Sequence, residues 1–233
     1  RSYALTYVPG SWIESIQIVK GAGSVVNGYE SLTGQINVEY FKPELDVDKF
    51  KWNIYANHSG KLENNLILSK KKGDWRSNLF TYISYFDKEV DHHGYHHDHT
   101  DHTDHKGDNF LDMPKIKQLS VLNRWKYYGS DKYVLQFNFR GTIEDRKAGQ
   151  ISAINNPYLS NINNQLIQLY TKAGKIINSN ISIGTQSSVT LHNQDARFGN
   201  NVYEGKNESV SMNFIYQNQV SENSLFKYGS SFF

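Results

Sequence analysis

The chain has no cysteine, which excludes disulfides and thiolate metal sites and leaves any bound metal to histidine and carboxylate ligands. It has no run near the ~18 consecutive apolar residues of a membrane-spanning helix, so a helical membrane protein is excluded. It has almost no charge imbalance: 25 basic and 23 acidic residues give a formal charge of +2. That near-neutrality argues for no nucleic acid and no polybasic membrane anchor. No secretory leader opens it, since Arg1-Ser2-Tyr3-Ala4-Leu5 is not a basic segment followed by an apolar core. Phosphate-binding and dinucleotide-binding glycine motifs are missing, as is the H-E-x-x-H zinc motif. No nucleophile and base, paired carboxylates or cofactor loop share an element, so catalysis by the chain itself is not expected.

What the chain has is aromatic residues, with 16 Tyr, 12 Phe and 4 Trp against only 4 Pro. Many rings without long apolar runs is the product of alternating strands, where every second side chain is polar. From Phe50 onward the alternation recurs in segment after segment. Phe50, Trp52, Ile54 and Ala56 share a face, as do Leu62, Leu66 and Leu68 with Asn64, and then Trp75, Leu79, Ile83 and Tyr85. Leu119, Val121, Trp125 and Tyr127 alternate with Ser120, Arg124 and Lys126; Tyr133, Leu135, Phe137 and Phe139 alternate with Gln136, Asn138 and Arg140. Further segments cover Leu166 to Ile177, Ile181 to Asn193, Ser209 to Val220 and Leu225 to Phe233. The expected fold is all-β, a transmembrane antiparallel β-barrel of which about nine strands are present.

The connections point the same way. Those after the second, fourth, sixth and eighth strands are tight, while those after the third, fifth and seventh run to roughly 28, 22 and 15 residues. Short turns on one side and longer loops on the other suit a barrel between two unlike compartments, with the even connections periplasmic and the odd ones extracellular. Trp75, Trp125, Tyr127, Tyr128, Tyr133 and Tyr228 gather at the even turns, where a girdle of amphipathic rings would meet the membrane interface. A soluble β-sandwich also alternates, but its strands are usually ~5 to 6 residues, about half the length here. An odd strand number does not close a bacterial barrel, so the chain reads as part of a longer one.

Residues 1–45 differ, with short β-like stretches at Ile13 to Lys20 and Gln35 to Tyr40 around a glycine-rich middle. The run Ile13-Glu14-Ser15-Ile16-Gln17-Ile18-Val19-Lys20-Gly21-Ala22-Gly23-Ser24-Val25-Val26-Asn27-Gly28-Tyr29-Glu30-Ser31-Leu32-Thr33-Gly34-Gln35-Ile36-Asn37-Val38 closely resembles the end of the plug domain of TonB-dependent outer-membrane transporters, in a variant like that of the Bacteroidetes. The resemblance covers about 26 contiguous residues. It implies that residues 1–45 are the C-terminal part of a plug and residues 46–233 the N-terminal part of a roughly 22-stranded barrel filled by that plug. It also implies the outer membrane of a Gram-negative bacterium, and active transport powered by the TonB–ExbB–ExbD complex through a segment not present here. Glu14, Lys20, Gly21, Gly28, Glu30 and Gly34 would then be the plug's structural signature, acting through packing, backbone geometry or a plug-to-barrel salt bridge.

Seven of the nine histidines fall in one stretch: His92, His93, His96, His97, His99, His102 and His105, interleaved with Asp98, Asp101 and Asp104. Imidazole is the common ligand for Zn²⁺, Cu²⁺ and Ni²⁺, and a carboxylate can ligate or hold an imidazole N–H. The spacing fits several overlapping, loose sites rather than one rigid centre. No cofactor is required, and a divalent metal (Zn, Cu or Ni) is the expected ligand of this loop. Asp104, Asp108, Asn109 and Asp112 form a weaker oxygen cluster, read as an ordinary loop-to-strand junction because it lacks the EF-hand spacing. His58 and His192 are read as pore-facing polar residues. The expected function is TonB-dependent import of a metal ion or metal chelate, such as a siderophore, Zn, Cu or haem, with the His-rich loop capturing metal outside. A passive porin, or a surface metal-sequestering β protein, is the alternative.

Overall fold

The computed structural model describes residues 7–21, 34–42, 49–91 and 109–233. Short turns between alternating segments leave neighbouring strands only an antiparallel route, and each strand pairs with the next in chain order. A hairpin of β1 (Ile13–Lys20) and β2 (Gly34–Tyr40) is followed by a nine-stranded sheet. Its strands are β3 (Phe50–Ala56), β4 (Leu62–Lys72), β5 (Trp75–Phe86), β6 (Lys115–Tyr127), β7 (Tyr133–Gly149), β8 (Leu159–Ile176), β9 (Ile181–Phe198), β10 (Asn201–Ser221) and β11 (Ser224–Phe232). The fold is all-β and antiparallel, with the nine strands expected after Phe50. No helix among the described residues is long and apolar enough to cross a membrane.

The strands outrun the apolar alternation. β7 continues to Gly149, β8 starts at Leu159, and β9 and β10 extend until they meet across Gly199-Asn200. The fifth connection is therefore confined to residues 150–158 and the seventh to two residues, against the expected 22 and 15. Of the odd connections only the third, residues 87–114, stays long. Strand pairing is made by backbone groups and needs no apolar side chain, so Asp145, Lys147, Asn161, Asn163, Asp195 and Arg197 remain in the ladder although their polarity reads as loop. Two of the tight turns depend on glycine: Gly73 (φ 59°) and Gly199 (φ 58°) occupy the first central position, where hairpin turns need a positive φ.

Pairing sorts the side chains onto two faces. One carries Phe50, Leu68, Leu79, Phe139, Leu169, Val189 and Val210 in a single row across the sheet, interrupted at Asn123. This face lies open, with Ile143 57% and Ile167 49% exposed. The opposite face is polar and covered: Asn78, Ser120, Thr142, Glu144, Asn164 and Thr190 are all buried. A water-soluble sheet puts these two sets the other way round.

The turns at the even end are staggered. The row Lys71, Arg76, Lys126, Gln136, Lys172, Gln186, Asn213 and Ser231 crosses the sheet at right angles to the strands. It lies next to the end of β4 at Lys72, whereas β10 runs on from Asn213 to Ser221 before it turns. The stagger averages about one residue per strand, which at a rise of ~3.3 Å and a strand spacing of ~4.8 Å is a tilt of roughly 35°.

Candidate functional site

The covered polar face is held by hydrogen bonds between strands. Glu144, fully buried, accepts from Arg146 (Nη2 at 2.6 Å, Nε at 3.1 Å) and from Asn164 Nδ2 at 3.0 Å. Ser120 and Thr142 hydroxyls lie 3.1 Å apart, and Gln118 donates to Ser120 at 3.2 Å. A buried carboxylate is tolerable only with such partners. His192 lies buried on this face. His58 does not: it sits exposed in the turn after β3, beside Ser59, because the turn Asn57–Lys61 closes through its own hydrogen bonds and carries no inward-facing position.

The base of the β1–β2 hairpin and its flanks sit on this face. Trp12, fully buried in the short helical turn Gly10–Trp12, packs against Ile67, Phe80 and Leu122 from β4, β5 and β6, with Tyr40 and Phe41 alongside. Around this apolar seat the wall supplies donors. Arg124 Nη1 donates to the carbonyls of Tyr40 and Phe41 at 2.9 Å each, Arg140 donates to the Tyr7 carbonyl at 2.7 Å and to the Tyr40 hydroxyl at 3.2 Å, and Ser11 donates to Asn65 at 2.7 Å. Two guanidiniums thus hold the two chain segments that flank the hairpin, Tyr7 on one side and Tyr40-Phe41 on the other, each charge-assisted bond contributing about 1.5–3 kcal/mol.

Sequence reasoning named different residues of this region. Glu14 reaches Lys42 at 4.0 Å, within its own segment, not a barrel residue. Lys20 is exposed and pairs with Gly34 across the hairpin. Gly21 (φ 94°) and Gly34 (φ 143°) have backbones that L side chains resist, and a Cβ on Gly34 would stand 2.9 Å from the Val19 carbonyl; these two are backbone residues, as expected. Gly28 and Glu30 lie outside the described residues. The seat residues Arg124 and Arg140 were legible only as polar members of alternating strands. A long cation at mid-strand height on a covered face was the signal that a partner must meet it.

The expected metal ligands His92, His93, His96, His97, His99, His102, His105, Asp98, Asp101 and Asp104 all lie outside the described residues. Among the described residues no three His, Asp or Glu side chains converge to hold a metal ion. The flanks of that stretch are well tied. Asp112 N–H donates to the Val90 carbonyl at 2.9 Å, Leu111 N–H to Gly149 at 2.8 Å, and Ile151 N–H to Asn109 at 2.9 Å. The Glu89 carboxylate accepts from Lys115 Nζ at 3.0 Å, and from the Ser152 N–H at 3.0 Å and its hydroxyl at 2.8 Å. The Ser152 N–H, the Lys115 ammonium and the Ser152 hydroxyl together hold the Glu89 carboxyl down at about 2.

Of the expected aromatic girdle, Trp75 and Tyr127 pair across β5 and β6 with ring centroids 5.3 Å apart, and Tyr228 meets Tyr216 at 6.2 Å. Tyr128 leaves it. Its ring takes Arg76 and Lys126 as cations, each 4.6 Å from the centroid, and so belongs with the polar face. No protein-family model, curated protein or solved structure matches the chain.

Proposed function

We propose that the chain is part of a TonB-dependent outer-membrane transporter for a metal ion or metal chelate: residues 1–45 the end of its plug, residues 46–233 the first strands of its barrel. The carrying observation is the seat. The base of a hairpin with the plug-like sequence is held on the polar face of the sheet by Arg124 and Arg140. In a barrel that face lines the lumen, and the hairpin would obstruct it.

The membrane reading is supported by the inverted faces and the stagger. Outward on β7, apolar side chains run from Tyr133 to Ile143 and give way to Asp145 and Lys147. That band is about 33 Å along the strand, or roughly 27 Å at a 35° tilt, close to the ~25 Å apolar belt of outer-membrane barrels. The tilt itself sits at the low edge of the barrel range. In water each of these large side chains would forgo about 1.5–3 kcal/mol of burial. Lipid removes that penalty.

The cargo class rests on the seven histidines of the third connection. The connection would face outward, and the TonB–ExbB–ExbD complex would act from the other side. The test is uptake and growth of the protein in its host under limitation for Zn, Cu, Ni or iron chelates, with and without residues 91–105. Loss of uptake for one metal supports the reading; unchanged uptake for all of them removes the reason for naming a metal. Recovery of the protein in the aqueous fraction without detergent would remove the barrel. Open-channel conductance of the parent in planar bilayers would leave a passive porin.

A further inference from the structure

We propose that the outward face near the even turns of β4 to β7 holds an anionic phospholipid, its acyl chain in an aromatic groove and its phosphate on Lys70 and Lys72. This rests on the membrane-wall reading above.

The groove arises from a contrast in side-chain size. Ser77 pairs with Lys70 on one side and Trp125 on the other. Although it lies on the open face, it is only 7% exposed, because Trp75 and Trp125 stand beside it. Trp75 is held by its contact with Tyr127 at 5.3 Å, and the Trp125 indole N–H is directed along β6 to Asn123. Lys72, Trp75, Trp125 and Phe137 line a shallow, open groove of about 540 Å³. Three rings make its walls and one ammonium its rim. An acyl chain with a negatively charged head has that division.

Charge distribution distinguishes this end of the sheet from the other. At the far end most outward cations have carboxylates beside them, Lys117 with Asp87 at 2.9 Å, Lys147 with Asp145 at 3.6 Å and Lys206 with Glu208 at 2.7 Å, while Arg197 donates to the Gly199 carbonyl at 3.0 Å. At the even end the outward strand charges of β4 to β9 are Lys70, Lys72 and Lys175. Among the described residues Lys70 and Lys72 have no carboxylate partner, and both are exposed. Two such ammoniums at the level of an aromatic girdle suit lipid phosphate.

The experiment uses the protein extracted from outer membranes and reconstituted into vesicles of phosphatidylcholine with increasing phosphatidylglycerol, either lipid carrying brominated acyl chains that quench indole fluorescence. The quenching that disappears in W75F/W125F reports the groove. Brominated phosphatidylglycerol should be favoured there, and K70Q/K72Q should lower that preference by about tenfold, toward phosphatidylcholine. Heat-modifiable migration on gels checks that each variant is folded. An unchanged preference in folded K70Q/K72Q overturns the headgroup assignment, and no groove-specific quenching by either lipid overturns the site. If no tryptophan in the protein is quenched, the membrane wall itself has failed, a separate result.

Discussion

Three consecutive residues of β7 set the two faces of the sheet side by side. Thr142 and Glu144 are 2% and 0% exposed, and Ile143 between them is 57% exposed. One face keeps a hydroxyl and a carboxylate from solvent, and the other presents a branched hydrocarbon. Backbone and pairing are shared, so the difference lies in what each face meets. The polar face meets other polar groups and the base of the hairpin; the apolar face meets no other element among the described residues, and a surface of that size is tolerated only against a partner that is itself apolar. Substitutions that exchange the chemistry of the two faces test this directly.

The largest effect is expected on the buried side. Glu144→Ala removes the acceptor of two bonds from Arg146 and one from Asn164, and breaking a buried pair costs about 3–5 kcal/mol. The midpoint of urea unfolding in lipid should fall accordingly; a shift within error would mean that water reaches this network freely. Next comes the apolar side, where Leu169→Arg places a cation in the middle of the outward band, at about 2–4 kcal/mol if lipid is the neighbour. Its control is on the same strand and face: Asn163→Arg lies beyond the band and should change stability by no more than about 0.5 kcal/mol. Equal costs at the two positions would mean that no membrane boundary lies between them. The seat should respond less in stability than in gating. Arg124→Ala removes two bonds to the base of the hairpin that share one Nη1 and so do not add in full, together worth about 2–3 kcal/mol of docking. Single-channel recordings should then show openings that the parent lacks, and a silent variant would detach the hairpin from any plugging role.

The legibility of this molecule in its sequence follows the same division. Apolar alternation marked where strands cross the band, and β3 and β5 begin and β6 and β11 end where their aromatic rows do. It failed where the outward face turns polar, so that Glu204, Lys206 and Glu208 of β10 read as loop although their backbones pair with β9. Tyr128 read as girdle because its neighbours in sequence are, yet one residue past the strand end its ring has swung to Arg76. The seat was hidden for another reason. Arg124 and Arg140 meet partners more than 80 residues away, and a local pattern carries no information on that pairing. The glycines of the hairpin were readable because a positive φ is a property of single residues.

The smallest expected effect sharpens the comparison at the end that the proposed function places outside the cell, where an acid-stable clamp adjoins the histidine-rich stretch. Glu89 is held at about 2 against an ordinary value of 4.5. Because its charge is favoured in the folded state, its contribution is whole above pH 4.5 and drains away as pH falls toward 2. If the neighbouring histidines hold metal as proposed, protonation of their imidazoles should release it below about pH 6. Between those limits the loop should be metal-free while its base stays tied to Ser152 and Lys115. Hydrogen exchange at Asp112 and Ser152, corrected for intrinsic rates, should therefore stay slow to about pH 5 while metal content has already fallen, and Glu89→Gln should quicken exchange at Ser152 at neutral pH. Protection lost in step with the metal would instead make the histidines, and not Glu89, the group that holds the base together.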